Sequence, residues 1–280
     1  MTKKTRAFLK WAGGKYSLIE QIHSRLPEGK KLVEPFVGAG SVFLNSNYDS
    51  YLLNDVNPDL IRLYKYVKSR PKTLVTDART LFNQKNNDKV MYYGLRQEFN
   101  TTTDLYYRAL LFIYLNRHGY NGLCRYNLKG GFNVPFGDYN KPYFPENEIY
   151  AFSEKAKKAK FVCEDYKKTF SRARAGSVIY CDPPYAPLSQ TAKFTSYSVG
   201  GFDPNEQAKL ALLAEHTAFN RKIPVLISNH DTELTRKLYH EAKHSFVKVS
   251  RNISQNGATR KKVGEIFAYY CPDKVIVKSR

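Results

Sequence analysis

Four short apolar runs constrain this chain more than any other feature, because each stops abruptly at a turn built from Gly, Asn, Asp or Pro. They are Leu32–Phe36, ending at Val37-Gly38-Ala39-Gly40-Ser41; Tyr51–Leu53, ending at Asn54-Asp55; Ser177–Cys181, ending at Asp182-Pro183-Pro184-Tyr185; and Ile223–Ser228, ending at Asn229-His230-Asp231. None shows regular apolar–polar alternation, so each is expected to be buried on both faces, as parallel strands covered by helices are. Residues 205–219 supply such a helix: Ala208, Leu212, Ala214 and Phe219 follow helical spacing behind the start signal Asp203-Pro204. The chain therefore reads as an α/β fold.

The middle of the chain reads differently. From Pro58 to about His118 the apolar spacing is helical (Leu60, Leu63, Tyr64, Val67, then Leu105, Ala109, Phe112, Ile113). Residues 119–143 are rich in Gly, Asn, Pro and aromatic residues, which points to a hairpin or long loop turning at Lys129-Gly130-Gly131. A helical and hairpin block between strands is expected to be an insertion, dividing the chain into a unit made of 1–56 with 146–280 and a second unit, 57–145.

Charge narrows the partners. With 45 Lys+Arg against 25 Asp+Glu the formal net charge is +20, which favours a polyanion such as nucleic acid over a merely basic surface. Residues 57–145 are the most basic per residue, with 14 basic against 6 acidic side chains. No window reaches the roughly eighteen apolar residues of a bilayer helix, so no membrane association is expected. Hydrophobic content of 42% argues against disorder. Cys124, Cys163, Cys181 and Cys271 are scattered without CxxC spacing, as expected of reduced thiols in a cytoplasm. The basic start has no apolar segment behind it that would make it a signal peptide.

The motifs at the strand ends carry the chemistry. Gly38-x-Gly40 between a strand and a helix lets the backbone turn sharply and approach a ligand, but Phe43 occupies the third glycine position of the dinucleotide fingerprint. Asp55 ends the next strand, where a carboxylate commonly holds ribose hydroxyls. The pair points to a nucleoside cofactor other than a dinucleotide, with a structural turn plus a capping Asp as the plainer alternative. Lys10-Trp11-Ala12-Gly13-Gly14-Lys15 is not a P-loop, since Leu9 and Tyr16 stand where that motif needs Gly and Ser or Thr. Its lone tryptophan can stack on a base or fill a core.

Asp182-Pro183-Pro184-Tyr185 is the most specific signal. Two prolines stiffen the turn. An acidic side chain and a fixed carbonyl can then both accept hydrogens from one exocyclic amine, while the tyrosine ring stacks on the base that bears it. Two acceptors favour the charge that develops on such a nitrogen as it attacks, and the ring fixes the line of attack. His240-Glu241-Ala242-Lys243-His244 fits HExxH literally. Lys243 inside the motif and the lack of a third downstream ligand argue instead for two histidines on a solvated, charged helix, and no metal is expected. Ser254–Lys262, with Arg260, Lys261 and Lys262, reads either as a solvated hairpin tip or as a phosphate-binding loop.

KWAGGK at 10–15, PFVGAG at 35–40, Asp55, a basic insertion containing NRHGYNGLCRYN at 116–127, DPPY at 182–185 and the later LISNHD follow one another in the order seen in DNA adenine-N6 methyltransferases of the Dam family (alpha group), which the chain resembles over nearly its whole length. The resemblance implies a Rossmann-like, S-adenosylmethionine-dependent methyltransferase sheet of seven strands. A helical and β-hairpin target-recognition domain (57–145) would be inserted after the second strand. It also implies a monomer in a bacterial or phage-infected cytoplasm, associated with the nucleoid, acting on double-stranded DNA containing GATC by flipping the adenine. Carried over residue by residue, Trp11, Lys15, Phe36, Gly38, Gly40, Asp55 and Asp182 would surround the donor. Asp182, Pro183, Pro184 and Tyr185 would hold the adenine. Lys10, Arg117, Tyr120, Asn121, Leu123, Arg125, Asn127, Pro135 and Tyr139 would meet the duplex. One departure is Asp138, where relatives carry a basic residue, so one phosphate contact is not implied here. Two rivals remain at this point. One is a methylase of another amide or amine, which an Asn or Ser in place of Asp182 would favour; the other is a non-enzymatic DNA-binding protein on a degenerate fold.

Overall fold

The computed structural model describes residues 4–186, 202–249 and 263–272. Seven strands form one sheet in the order β3-β2-β1-β4-β5-β7-β6. They are β1 (Lys31–Glu34), β2 (Ser50–Asn54), β3 (Ala159–Val162), β4 (Ser177–Cys181), β5 (Val225–His230), β6 (Lys243–Val249) and β7 (Val263–Tyr270). The first five run parallel, and β7 enters antiparallel between β5 and β6. β1 lies between β2 and β4, so the chain winds outward from it in both directions. The crevice beyond the carboxyl ends of β1 and β4 is therefore the topological switch point, the place where open α/β sheets bind ligands.

The central strands β4 and β5 are buried on both faces, as their apolar runs require. Every residue of β4 and β5 is buried. Alternate residues feed separate cores: Val178, Tyr180 and Leu226 join one face, while Ile179, Cys181, Val225 and Ile227 join the other. The second core is closed by α8 (Tyr166–Arg172) and α9 (Pro204–Phe219), through Phe170, Leu210, Ala214 and Ala218. Asp203 caps α9 by accepting from Glu206 N–H, with Pro204 in the first turn, as the start signal predicts. Each buried Ile, Leu or Val contributes about 1.5 to 3 kcal/mol, so these strands have no room for polar side chains except at their ends.

The first core runs on into the segment between β2 and β3. That segment holds α3 (Pro58–Ser69), α4 (Pro71–Thr80), α5 (Lys89–Thr101), α6 (Leu105–His118) and α7 (Glu146–Ala156). Helix α6 is buried at every position from Ala109 to His118. It is a central helix walled by its neighbours, and Leu105, expected inside, is 48% exposed. Residues 119–136 make the expected hairpin, held by bridges Gly119↔Phe136 and Tyr126↔Phe132. The tip closes through Gly130 N–H to Asn127 O at 2.9 Å, with Gly130 at φ +77°.

Two expectations need correction. β5 continues through Asn229 and His230, both buried, so the polar residues expected to stop it are its last two members. The HExxH stretch is not a helix face. Helix α10 (Glu233–Leu238) ends before it, His240 sits exposed in a turn, and His244 lies in β6 with Nε2 2.7 Å from Tyr239 O. Pairing of Lys243–Val249 with β7 outweighs the helical spacing. The four cysteines are free thiols, and no described helix is long and apolar enough to cross a membrane.

Hairpin and helices are tied together by one buried carboxylate. Asp59, 5% exposed, accepts from Arg108 Nε at 2.6 Å and Nη2 at 3.0 Å, from Arg62 at 3.1 Å and from the Tyr126 hydroxyl at 2.8 Å. Removing Arg108 leaves that charge with poorer compensation. Arg108→Ala should therefore lower the unfolding free energy by about 3 kcal/mol, measured by urea titration. A loss below about 1 kcal/mol, the scale of an exposed ion pair, would mean that Arg62 and Tyr126 suffice to hold Asp59.

Candidate active site

Four strand ends meet at the switch point: Glu34 on β1, Asn54-Asp55 on β2, Asp182 after β4 and Ser228–His230 on β5. The turn after β1 is fastened to β2. Val37 N–H donates to Asn54 O at 2.8 Å, and the Asn54 amide donates to Pro35 O at 2.9 Å. Gly38, at φ +47°, donates its N–H to Asp55 Oδ2 at 3.1 Å, and its carbonyl accepts from the Tyr64 hydroxyl at 2.5 Å. A Cβ at Gly38 would lie 2.9 Å from Trp11 Nε1. Both the backbone conformation and the close approach of the indole therefore require glycine there. Gly40, at φ +74°, opens the short helix α2 (Ser41–Asn45).

Asp55 is half-buried. Burial pushes its carboxyl up, while N–H donors from Asn57, Gly38 and Val56 oppose that shift. Each oxygen takes one of these bonds, from Gly38 and from Asn57 at 3.0 Å. An ionised carboxylate has further lone pairs, so Asp55 can hold the loop and still accept hydroxyls. Phe36 packs 5.3 Å from the Tyr166 ring and 5.6 Å from Phe202. Trp11 is half-buried beside this turn.

The turn after β4 is pinned from three directions. Gln207 of α9 donates to Pro184 O at 2.7 Å. Asn229 of β5 accepts Ala186 N–H at 3.1 Å and donates to Gln207 Oε1 at 3.0 Å and to Tyr239 Oη at 2.9 Å. His230 Nδ1 lies 2.7 Å from Ala186 O. With Pro184 O engaged, the buried Pro183 carbonyl has no hydrogen-bond partner among the described residues. The Tyr185 ring stands edge-on to His230 with centroids 4.6 Å apart, and its hydroxyl donates to Glu265 on β7.

Lys15 reaches this turn from the amino-terminal segment. It is 5% exposed, and its Nζ lies 2.7 Å from Asp182 Oδ1, 2.8 Å from Gly13 O and 4.6 Å from the centre of the Tyr185 ring. Burial raises the Asp182 carboxyl above its ordinary value, and the Lys15 ammonium opposes the rise. An ammonium nitrogen thus touches the same carboxylate and ring that the sequence assigns to an exocyclic amine.

Glu34 escaped the sequence reading. It ends β1 at 2% exposure with Oε1 lacking a partner among the described residues, and burial, then the nearby Asp182 charge, pushes its carboxyl far up. An acidic residue closing an apolar run was the available signal. Among the described residues no cluster of three His, Cys, Asp or Glu is placed to hold a metal.

Of the residues expected to meet a duplex, most line the hairpin side of the same segment. Lys10 Nζ sits 4.2 Å over the Tyr139 ring, its backbone is clasped by the Asn116 amide, and its side chain lies where a Cβ on Gly122 would be 2.1 Å away. Asn121, at φ +52°, donates its N–H to Tyr139 Oη at 2.8 Å. Tyr120, Asn121, Arg125 and Pro135 are exposed, and Leu123 and Tyr139 are half-buried. The Arg125 guanidinium is held by Asn133 Oδ1 at 2.8 Å and its carbonyl at 3.0 Å. Two of these residues also serve the frame. Arg117 is 8% exposed and donates to Phe8 O, and the Asn127 side chain accepts Lys129 and Gly131 N–H in the hairpin tip. Ser254–Lys262 lies outside the described residues.

Residues 11–253 match the family model described as D12 class N6 adenine-specific DNA methyltransferase. Curated relatives named DNA adenine methylase include those of Salmonella typhi, 60% identical over 270 residues (96% of this chain, 97% of that protein), Serratia marcescens, 59% over 268 (96% and 99%), and Escherichia coli K12, 59% over 273 (98% and 98%).

The Lys15–Asp182 pair has a pH signature. A carboxyl whose folded pKa is raised favours folding below its unfolded value, near 4, and loses that contribution as pH rises through the folded value. Replacing Lys15 by Met removes the opposing charge and raises the folded pKa further. The stability of wild type relative to Lys15→Met, measured by urea titration, should therefore rise steadily from about pH 4 towards pH 7. A constant gap across that range would mean that the pair is not what holds Asp182 ionised.

Proposed function

The chain belongs to the D12 class of N6 adenine-specific DNA methyltransferases, and from that premise we propose that its target is the adenine of double-stranded GATC, methylated after the base has rotated out of the duplex. The observation that carries this reading is the turn after β4, where the Asp182 carboxyl, the Pro183 carbonyl, which has no hydrogen-bond partner among the described residues, and the Tyr185 ring follow one another. Those two acceptors can take both hydrogens of one amine, and an amine inside a stacked duplex cannot reach them, which is the physical need for flipping.

Family membership implies S-adenosylmethionine as the methyl donor, and the residues fit it. Asp55 keeps lone pairs for a ribose diol, Gly38 and Gly40 bring backbone close, and the buried Glu34 Oε1, without a partner among the described residues, suits an ammonium. Trp11, Lys15, Phe36, Gly38, Gly40, Asp55 and Asp182 would hold the donor, which supplies a methyl group made electrophilic by its sulfonium. On the target side, Asp182 and Pro183 accept the amine hydrogens and so favour the positive charge developing on nitrogen, Pro184 keeps the turn rigid, and Tyr185 fixes the plane of the base. The arriving amine takes the place of the Lys15 ammonium on Asp182.

Residues 57–145 act in this reading as the target-recognition unit. Lys10, Arg117, Tyr120, Asn121, Leu123, Arg125, Asn127, Pro135 and Tyr139 meet the duplex, and the net charge of +20 supports phosphate binding. Tritium transfer from labelled donor to GATC duplexes and to each single-base variant tests the target. Equal transfer to all of them would overturn GATC specificity.

Two substitutions divide the roles. Asp55→Ala should weaken donor binding about tenfold while leaving DNA affinity without donor near normal, as loss of a charge-assisted hydrogen bond predicts. An unchanged donor constant by calorimetry would return Asp55 to a loop-holding role. Arg125 can offer guanine O6 and N7 two parallel donors. Arg125→Ala should therefore cost GATC about 1 to 3 kcal/mol in kcat/KM and cost sites altered at one flanking base much less. If the ratio of cognate to altered sites stays at the wild-type value, Arg125 only holds the backbone.

A further inference from the structure

Beyond the turn itself, the sheet supplies a carboxylate that no motif of the chain singles out. Glu265 lies in β7 directly opposite His230 of β5, is 3% exposed, and accepts the hydrogen bond of the Tyr185 hydroxyl. Among the described residues, the Tyr185 ring thus meets neighbours from several parts of the chain. His230 meets it edge-on at 4.6 Å, the Lys15 ammonium lies 4.6 Å from its centre, and Glu265 holds its far end. His230 is in turn anchored to the same turn through Ala186 O.

We infer that Glu265 is a positioning residue for methyl transfer, acting through the Tyr185 hydroxyl; this rests on the reading of the Asp182–Tyr185 turn as the adenine seat. Two physical effects follow from the contact. A tyrosine on a four-residue turn has freedom in both side-chain torsions, and a buried acceptor at its hydroxyl fixes the ring plane on which the base stacks, which is how a supporting hydrogen bond preserves reactive geometry. A phenol that donates to a carboxylate is also polarised towards phenolate, so its ring face becomes more negative and attracts cationic charge more strongly. The amine gains positive charge as it attacks, so that polarisation acts more on the transition state than on the bound base. Burial, the Asp182 charge and the Glu265 charge all raise the Tyr185 phenol far above its ordinary range. The proton stays on oxygen and is available to the carboxylate.

The test is a double-mutant cycle on Glu265→Gln and Tyr185→Phe, read as the single-turnover rate of methyl transfer to GATC duplex at saturating donor and DNA, with duplex affinity and Tm measured alongside. Each single variant should slow transfer by about tenfold, the scale of a hydrogen bond to a charged group, with DNA affinity little changed. The double variant should be no slower than Tyr185→Phe, because Glu265 has nothing left to act on once the hydroxyl is gone. Glu265→Asp, which restores the charge on a shorter stem, should recover part of the rate. A wild-type rate in Glu265→Gln, or losses that multiply in the double variant, would overturn the inference while leaving the turn as the adenine seat. An Asp182→Ala variant that transfers methyl at the wild-type rate in the same assay would overturn both.

Discussion

Parallel strands buried on both faces leave only their ends for polar chemistry, and every reactive group of this enzyme follows from that constraint. β1, β2 and β4 are apolar at their centres, and Glu34 ends β1 while Asp55 and Asp182 directly follow β2 and β4. The sheet order brings those three ends side by side, so acidic groups far apart in sequence become neighbours without any segment being designed as a pocket. The cost is mutual repulsion among carboxylates in a poorly solvated crevice. Lys15 offsets it, and the glycine turn with its N–H groups offsets more.

The segment 10–15 is short, yet it touches both halves of the machinery. Lys10 is packed on Gly122 and Tyr139 of the hairpin side, Trp11 on Gly38, and Lys15 on Asp182. Asn116 of α6 clasps the Lys10 backbone from beneath, so the segment is braced by a helix buried on all sides. Six residues of backbone thus join the turn proposed to receive the base, the turn proposed to receive the donor and the hairpin proposed to read the duplex.

Much of this was legible in the sequence because strand ends announce themselves: an apolar run followed by Gly, Asp or Pro has few alternative structures. The strands of all four runs, the α9 start signal and the hairpin tip appear, although β5 runs two residues past its expected stop. What stayed hidden depends on pairings across the fold. Glu265 and Glu34 look like ordinary charged residues until β7 pairs with β5 and β1 is enclosed. The framing bonds of Arg117 to Phe8 O and of Asn127 within the hairpin tip are equally invisible in a basic, polar stretch of sequence. The HExxH stretch misled on helix, because local spacing cannot register a strand partner some twenty residues further on.

The clasp between Gln207, Asn229 and Tyr239 has a further consequence. All three side chains are essentially buried, and each is satisfied by the other two or by the turn. Such a knot resists piecemeal change, since losing one member strands buried polar atoms on its partners. It works as a foundation stone: the surface that meets the substrate can drift, and the reactive turn keeps its shape because its footing is locked in the dry interior, out of reach of whatever binds above.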